Sequence, residues 1–122
     1  MTDPSSLIRA LKISEANEVY NLAAQSFVGT SWDQPIITAE VTGVGVVNLL
    51  EAIRLNNPSV KFNQASTSEM FGLIQDEKQS ESTLFYPRSP YGVAKLYGYW
   101  ITIAKVLIYM LYVASYLTMN HL

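Results

Sequence analysis

The chain has 122 residues, a length suited to one domain, and its 49% hydrophobic and 15% charged content can fill a core, which excludes a disordered polar chain. Lys and Arg number 8 against 10 Asp and Glu, a net charge of -2, so the basic face of an electrostatic nucleic-acid binder is missing. With no Cys and the single histidine His121, a disulfide scaffold, a thiolate or multi-histidine metal site and a Cys nucleophile are excluded together.

The chain opens on MTDPSSLIRA, which has no basic segment leading into an apolar run, so no secretory signal is read and a cytoplasmic protein is expected. Ser5–Ala16 predicts a helix with Leu7, Ile8 and Leu11 on one face, and Glu18–Ala24 a short buried strand. Residues 25–35 look like a loop. Thr38–Asn56 predicts a long helix carrying Val41, Val44, Leu49, Ala52 and Ile53, stopped by Asn56, Asn57 and Pro58. Val60–Ser66 reads as the next strand and Gly72–Arg88 as a polar excursion. Ser89–Ile103 begins a helix with Pro90 in its first turn, where a missing N–H does no harm. Val106–Thr118 is read as a closing strand. Strand–helix alternation of this kind implies an α/β fold, with a parallel sheet and helices on its faces.

Lys105 is the last charge in the chain, and Leu96–Met119 is otherwise free of charge. A membrane span takes about 20 apolar residues, so this stretch is open to two readings, a tail anchor or a buried helix followed by a buried strand. Five tyrosines between Tyr97 and Tyr116, with Lys105 in mid-run, favour the buried reading.

The strongest local signal is Tyr91-Gly92-Val93-Ala94-Lys95. Positions i and i+4 share a helical face, and an ammonium one turn from a phenol favours the phenolate. A Tyr tuned this way can exchange a proton with a substrate hydroxyl. The pattern is common, and an exposed helical pair reads the same way. Gln64-Ala65-Ser66-Thr67-Ser68-Glu69 follows an inferred strand, where α/β folds place their chemistry. Its hydroxyls suit a sugar or alcohol oxygen, and Glu69 offers a general base, although a capped polar turn fits equally well. Asn21-Leu22-Ala23-Ala24-Gln25-Ser26 ends the first strand with small residues that let a ligand approach the backbone, or let a helix pack closely. Thr42–Asn48 starts like a dinucleotide fingerprint but lacks its third glycine and falls inside a helix, so it is read as close helix packing.

In this order, EVYNLAAQSFVGTSWDQP (18–35), LLEAIR (49–54), QASTSEMFG (64–72) and FYPRSPYGVAKLYGYWITI (85–103) resemble the extended short-chain dehydrogenase/reductase superfamily and, within it, the GDP-mannose 4,6-dehydratase family. The resemblance covers nearly all of residues 3–103. It implies a partial Rossmann-like, doubly wound parallel sheet over 1–122, with a divergent apolar tail at 104–122. The glycine-rich and arginine-bearing cofactor segments would lie before residue 1, and the substrate domain after residue 122. It also implies NADP as cofactor and GDP-mannose as substrate. Tyr91 would take the C4 hydroxyl proton as hydride leaves C4, and Lys95 would tune Tyr91 and hold the nicotinamide ribose. Thr67 would bond the C4 oxygen, and Glu69 would act as base at C5 in the loss of water across C5 and C6. Hydride returning to C6 would give GDP-4-keto-6-deoxy-mannose. Leu22, Ala23, Ala24, Gln25 and Ser26 would line the cofactor, with His121 of the Asn120-His121 pair as a further contact. No metal is implied. A homo-oligomer is the expected assembly, and neither nucleic acid nor membrane is an expected partner. Ile37 stands where the family places a tyrosine. From the resemblance, the chain alone is expected to bind NADP weakly and to turn over no substrate. An inactive interaction protein and a tail-anchored protein through 96–119 are the competing readings.

Overall fold

The computed structural model describes residues 1–119, with side chains through residue 105. Helix α1, Pro4–Ser14, is capped by Asp3, whose Oδ1 accepts the Ser5 N–H at 3.0 Å and whose other oxygen accepts the Ser6 hydroxyl. These bonds, that of the Ser6 side chain first, hold the Asp3 carboxyl below its ordinary value. The helix stops at Glu15, a non-glycine residue in the left-handed region (φ 48), whose N–H bonds Leu11 O at 3.2 Å. Glycine takes this conformation without a Cβ penalty. Glu15→Gly is therefore expected to raise stability by about 0.5–1 kcal/mol, read from the urea midpoint at unchanged slope.

Strand β1 is Glu18–Asn21 and strand β2 is Lys61–Gln64, parallel and in register from Glu18↔Lys61 to Asn21↔Gln64. Both are shorter than the sequence predicts. Asn21 Oδ1 accepts the Ala23 N–H and turns the chain out of β1, and Thr67 caps a 3-10 turn, Ser68–Met70, just after β2. A parallel pair needs a long crossover. Here it runs through a short helix α2, Thr30–Asp33, which the sequence reading took for loop, and then α3, Pro35–Asn56. Helix α3 starts three residues before the predicted Thr38, with Pro35 at its first turn, and contains a π-helical stretch at Ala39–Val44.

The core forms where α1 and α3 cover one face of the strand pair. Leu11, Leu49, Ala52 and Ile53 are buried there against Leu7, Ile8, Val19, Val60 and Phe62. The strands therefore alternate rather than being buried on both faces. Glu18, Tyr20, Lys61 and Asn63 point away from the core and are exposed, with the Tyr20 hydroxyl donating to Glu18 at 2.9 Å. Among the described residues α3 is long and apolar enough to cross a membrane, with a mean hydropathy of 1.6, but its Val46, Leu49, Ala52 and Ile53 build this core.

Helix α4, Pro90–Met119, corrects the predicted strand at Val106–Thr118: the backbone stays helical through it. A continuous apolar run fits either element by periodicity. Beyond Gly98 no glycine or proline supplies a stop. Helices α3 and α4 meet through small residues. A Cβ on Gly98 would stand 3.1 Å from Val46 Cγ2, and one on Gly43 3.3 Å from Tyr97 Cδ1, which is the close packing expected of Thr42–Asn48. Lys105 bonds Glu51 of α3, which also accepts from Arg54 at 2.9 Å. The Lys105 contact, then that of Arg54, holds the Glu51 carboxyl below its ordinary value. Such a depressed acid stabilises the fold above its unfolded pKa, and the gain is lost as pH falls through the lowered value. Partial exposure limits it to about 1 kcal/mol or less.

Candidate active site at the strand ends

The carboxyl ends of β1 and β2 and the first turn of α4 converge. At the end of β1, Leu22, Ala23 and Ser26 are exposed while Ala24 and Gln25 are half-buried, so this segment offers backbone to a ligand. It is tied down at two points. Ala23 N–H donates to Asn21 Oδ1 at 3.2 Å, and Gln25 N–H donates to Thr42 Oγ1 at 3.0 Å. Thr42 is fully buried inside the π-helical stretch, and such stretches often mark functional positions. Gln25 Nε2 donates to Phe27 O, while its Oε1 is buried with no hydrogen-bond partner among the described residues.

At the end of β2, Thr67 Oγ1 accepts the Glu69 N–H at 3.3 Å. The capped-turn reading of this segment is therefore correct, and it is compatible with a site, because a hydroxyl that accepts a bond keeps its own proton to donate. Thr67 and Glu69 are half-buried.

Helix α4 brings the third set. Ser89 Oγ accepts the Gly92 N–H at 3.0 Å and Pro90 follows it, a cap with proline in the first turn. Tyr91 is 7% exposed and Lys95 5%, so they are not the exposed helical pair that the bland reading requires. The Lys95 ammonium lies 5.8 Å from the Tyr91 ring centroid and donates to Ala65 O at 3.0 Å. Burial pushes the Lys95 amine below its ordinary value. Gly92 lets the Glu69 turn approach: a Cβ there would stand 2.7 Å from Glu69 O. The structure thus sets the Glu69 turn, capped by Thr67, against Gly92 in the helix turn that carries Tyr91, and Lys95 at the strand end beside it. His121 lies outside the described residues.

Sequence reasoning missed three supports, Asn21, Gln64 and Thr42. Asn21 Nδ2 donates to Gln64 Oε1 at 2.8 Å across the two strands, and Gln64 Nε2 donates to Ala65 O at 3.0 Å. A polar residue at a strand's last position was the available signal for the first two. Thr42 gave none, because the π-helical register that aims it at Gln25 has no mark in the sequence.

The GDP-mannose 4,6 dehydratase family model matches residues 1–122. A GDP-mannose 4,6-dehydratase of Yersinia enterocolitica is 48% identical over 99% of this chain and 33% of its own length. Among solved structures, the UDP-Glc/GlcNAc 4-epimerase of Campylobacter jejuni superposes with a TM-score of 0.81 at 22% identity, over 88% of this chain and 32% of that one. RMD from Pseudomonas aeruginosa, complexed with NADPH, gives 0.73 at 28% identity over 80% of this chain and 34% of that one. The fold is accordingly a partial Rossmann-like α/β unit, and the chain spans about a third of the length of its curated relative. With a family model matched from end to end and the motif residues gathered at the strand ends, the chain belongs to the GDP-mannose 4,6-dehydratase family.

Proposed function

We infer that this chain carries the proton-transfer residues and the nicotinamide side of the cofactor site of a GDP-mannose 4,6-dehydratase. The observation that carries the reading is the convergence of a buried Tyr91–Lys95 pair with Thr67 and Glu69 at one strand end. Tyr91 takes the proton from the sugar C4 hydroxyl. The Lys95 ammonium stabilises the developing phenolate and bonds the ribose. Thr67 donates its free proton to the C4 oxygen. Glu69 removes the proton at C5 as the C6 hydroxyl leaves as water, giving the 4-keto-5,6-ene; return of the hydride taken from C4 to C6, with a proton to C5, would then give GDP-4-keto-6-deoxy-mannose.

The residues fit NADP on one observation above all, the orphaned Gln25 Oε1 beside the exposed backbone of 22–26, an acceptor placed for a ligand's donor. Bound there, NADP would serve as transient hydride carrier between C4 and C6. This sequence has no glycine-rich strand–turn–helix for the pyrophosphate, so the affinity expected of the chain alone is weak. The test is an NMR titration of the 122-residue chain with NADP. Shifts confined to 22–26, 65–69 and the first turns of α4 are expected, and a response elsewhere, or none at millimolar ligand, overturns the reading.

A cytoplasmic location and a homo-oligomer belong to the same proposal. An apolar cleft of about 360 Å³ between the start of α3 and the start of α4, lined by Pro35, Ala39, Val44, Val93 and Tyr97, supports self-association through these helices. Val93→Glu is expected to convert any dimer into monomer by light scattering, and an unchanged mass argues against this face.

A further inference from the structure

We propose that the side-chain amides of Asn21 and Gln64 form a positioning relay that links the 22–26 loop to the Lys95 amine through the Ala65 carbonyl. This rests on the reading of Lys95 given above and adds two residues that touch neither substrate nor cofactor.

The polarity of the relay follows from its ends. Ala23 N–H can only donate, so the Asn21 amide must turn Oδ1 to it. That leaves Nδ2 for Gln64, which must answer with Oε1. Gln64 Nε2 then faces Ala65 O, which can only accept and takes the Lys95 ammonium as its second donor. Each amide has one compatible orientation, set by its neighbour. Asn21 is 3% exposed, so solvent does not compete for it. The strands clamp the same point, since Ala65 N–H donates to Asn21 O at 3.1 Å. A ligand that draws on the Ala23 backbone therefore acts on a rigid chain that ends at the Lys95 amine.

The consequence concerns the shared acceptor. A carbonyl that already takes one donor is a poorer partner for an ammonium. Withdrawing the Gln64 donor should therefore strengthen the Lys95 bond to Ala65 O and favour the charged amine. The other titratable groups on the surrounding elements are Tyr91 on α4 and Glu69 in the turn against Gly92, and the variants below leave both in place.

The experiment follows the Lys95 side-chain resonance by ¹⁵N NMR across pH in the full chain. Gln64→Met removes the last donor. Asn21→Ser keeps an acceptor for Ala23 N–H but cannot reach Gln64. Gln64→Met is expected to raise the Lys95 midpoint by about half a pH unit or more, and Asn21→Ser, which only releases the Gln64 amide from its fixed orientation, to raise it by less. The double variant should shift it no further than Gln64→Met alone, because the two act in series. Backbone spectra establish folding, and should Asn21→Ser unfold, Gln64→Met alone decides by the Lys95 midpoint and by a shift at the Ala23 amide. A folded variant with an unmoved or lowered midpoint, or additive shifts in the double variant, overturns the relay. No ligand is needed, so failure of the NADP titration leaves this result standing, and the converse holds.

Discussion

Gly72→Ala is expected to cost about 2–4 kcal/mol and to detach the 72–88 excursion from α4. Gly72 has φ +50, where an L side chain carries a penalty of about 1 kcal/mol. An added Cβ would also overlap Tyr86 O, and stand 2.9 Å from both Arg88 N and Pro87 Cα. These are backbone atoms and no rotamer change relieves them, so an overpacking cost of about 1–3 kcal/mol adds to the first. The contact is the point where the excursion closes on itself, with Leu73 N–H donating to Tyr86 O at 3.0 Å. Beside it, Phe85 packs on Phe71 and Tyr99 with ring centroids 5.1 and 5.2 Å apart. The excursion leads directly into Ser89 and Pro90, which start α4 and so aim Tyr91. Loss of the closure should therefore lower the urea midpoint and, in the same protein, broaden the Tyr91 and Gly92 amide signals. A midpoint within experimental error of the parent would show that the excursion contributes no stability.

The residues proposed for the site were easier to place from the sequence than the framework around them. Tyr91 and Lys95 carry a fixed helical spacing, and Pro90 announces the helix that holds them. Thr67 and Glu69 sit after an apolar run that reads as a strand. What failed was mostly a matter of boundaries and long apolar runs. Pro35 carries the same start signal as Pro90, yet the helix was read from Thr38, because Ile36 and Ile37 offered no polar residue to mark a face. The run after Lys105 fits strand or helix equally by composition, and only the missing stop residue beyond Gly98 points to helix. The openness of the Glu18–Tyr20 face was in plain sight as an alternation of polar and apolar residues over EVYN, and a four-residue strand is too short for that alternation to stand out. The hydrogen bonds that shape the site, Gln25 to Thr42 and Asn21 to Gln64, join residues 17 and 43 positions apart, and no local pattern records them.

Lys95→Met is expected to stabilise the ligand-free chain while weakening NADP binding about 10-fold or more. The Lys95 ammonium has no carboxylate partner among the described residues, and its bond to one carbonyl offsets only part of its desolvation. Its folded-state pKa therefore lies below the unfolded value of 10.5. Between those two values the unfolded chain binds more protons than the folded one, so stability rises with pH across that window. Below the folded pKa the penalty on the charged amine is fully present, and neutral pH lies on that side for an amine still charged there. Methionine has a similar length and no charge, and it leaves Gln64 Nε2 in place on Ala65 O. A gain of about 1 kcal/mol at pH 7 is expected, shrinking toward zero as the pH approaches the unfolded value, and urea melts at the two ends read both. Binding moves the other way, because a charge-assisted hydrogen bond to the ligand is worth about 1.5–3 kcal/mol. Opposite signs for stability and binding are the mark of a charge held out of water for a ligand. A variant that loses both together would place Lys95 in the structural framework and remove it from the proton-transfer site.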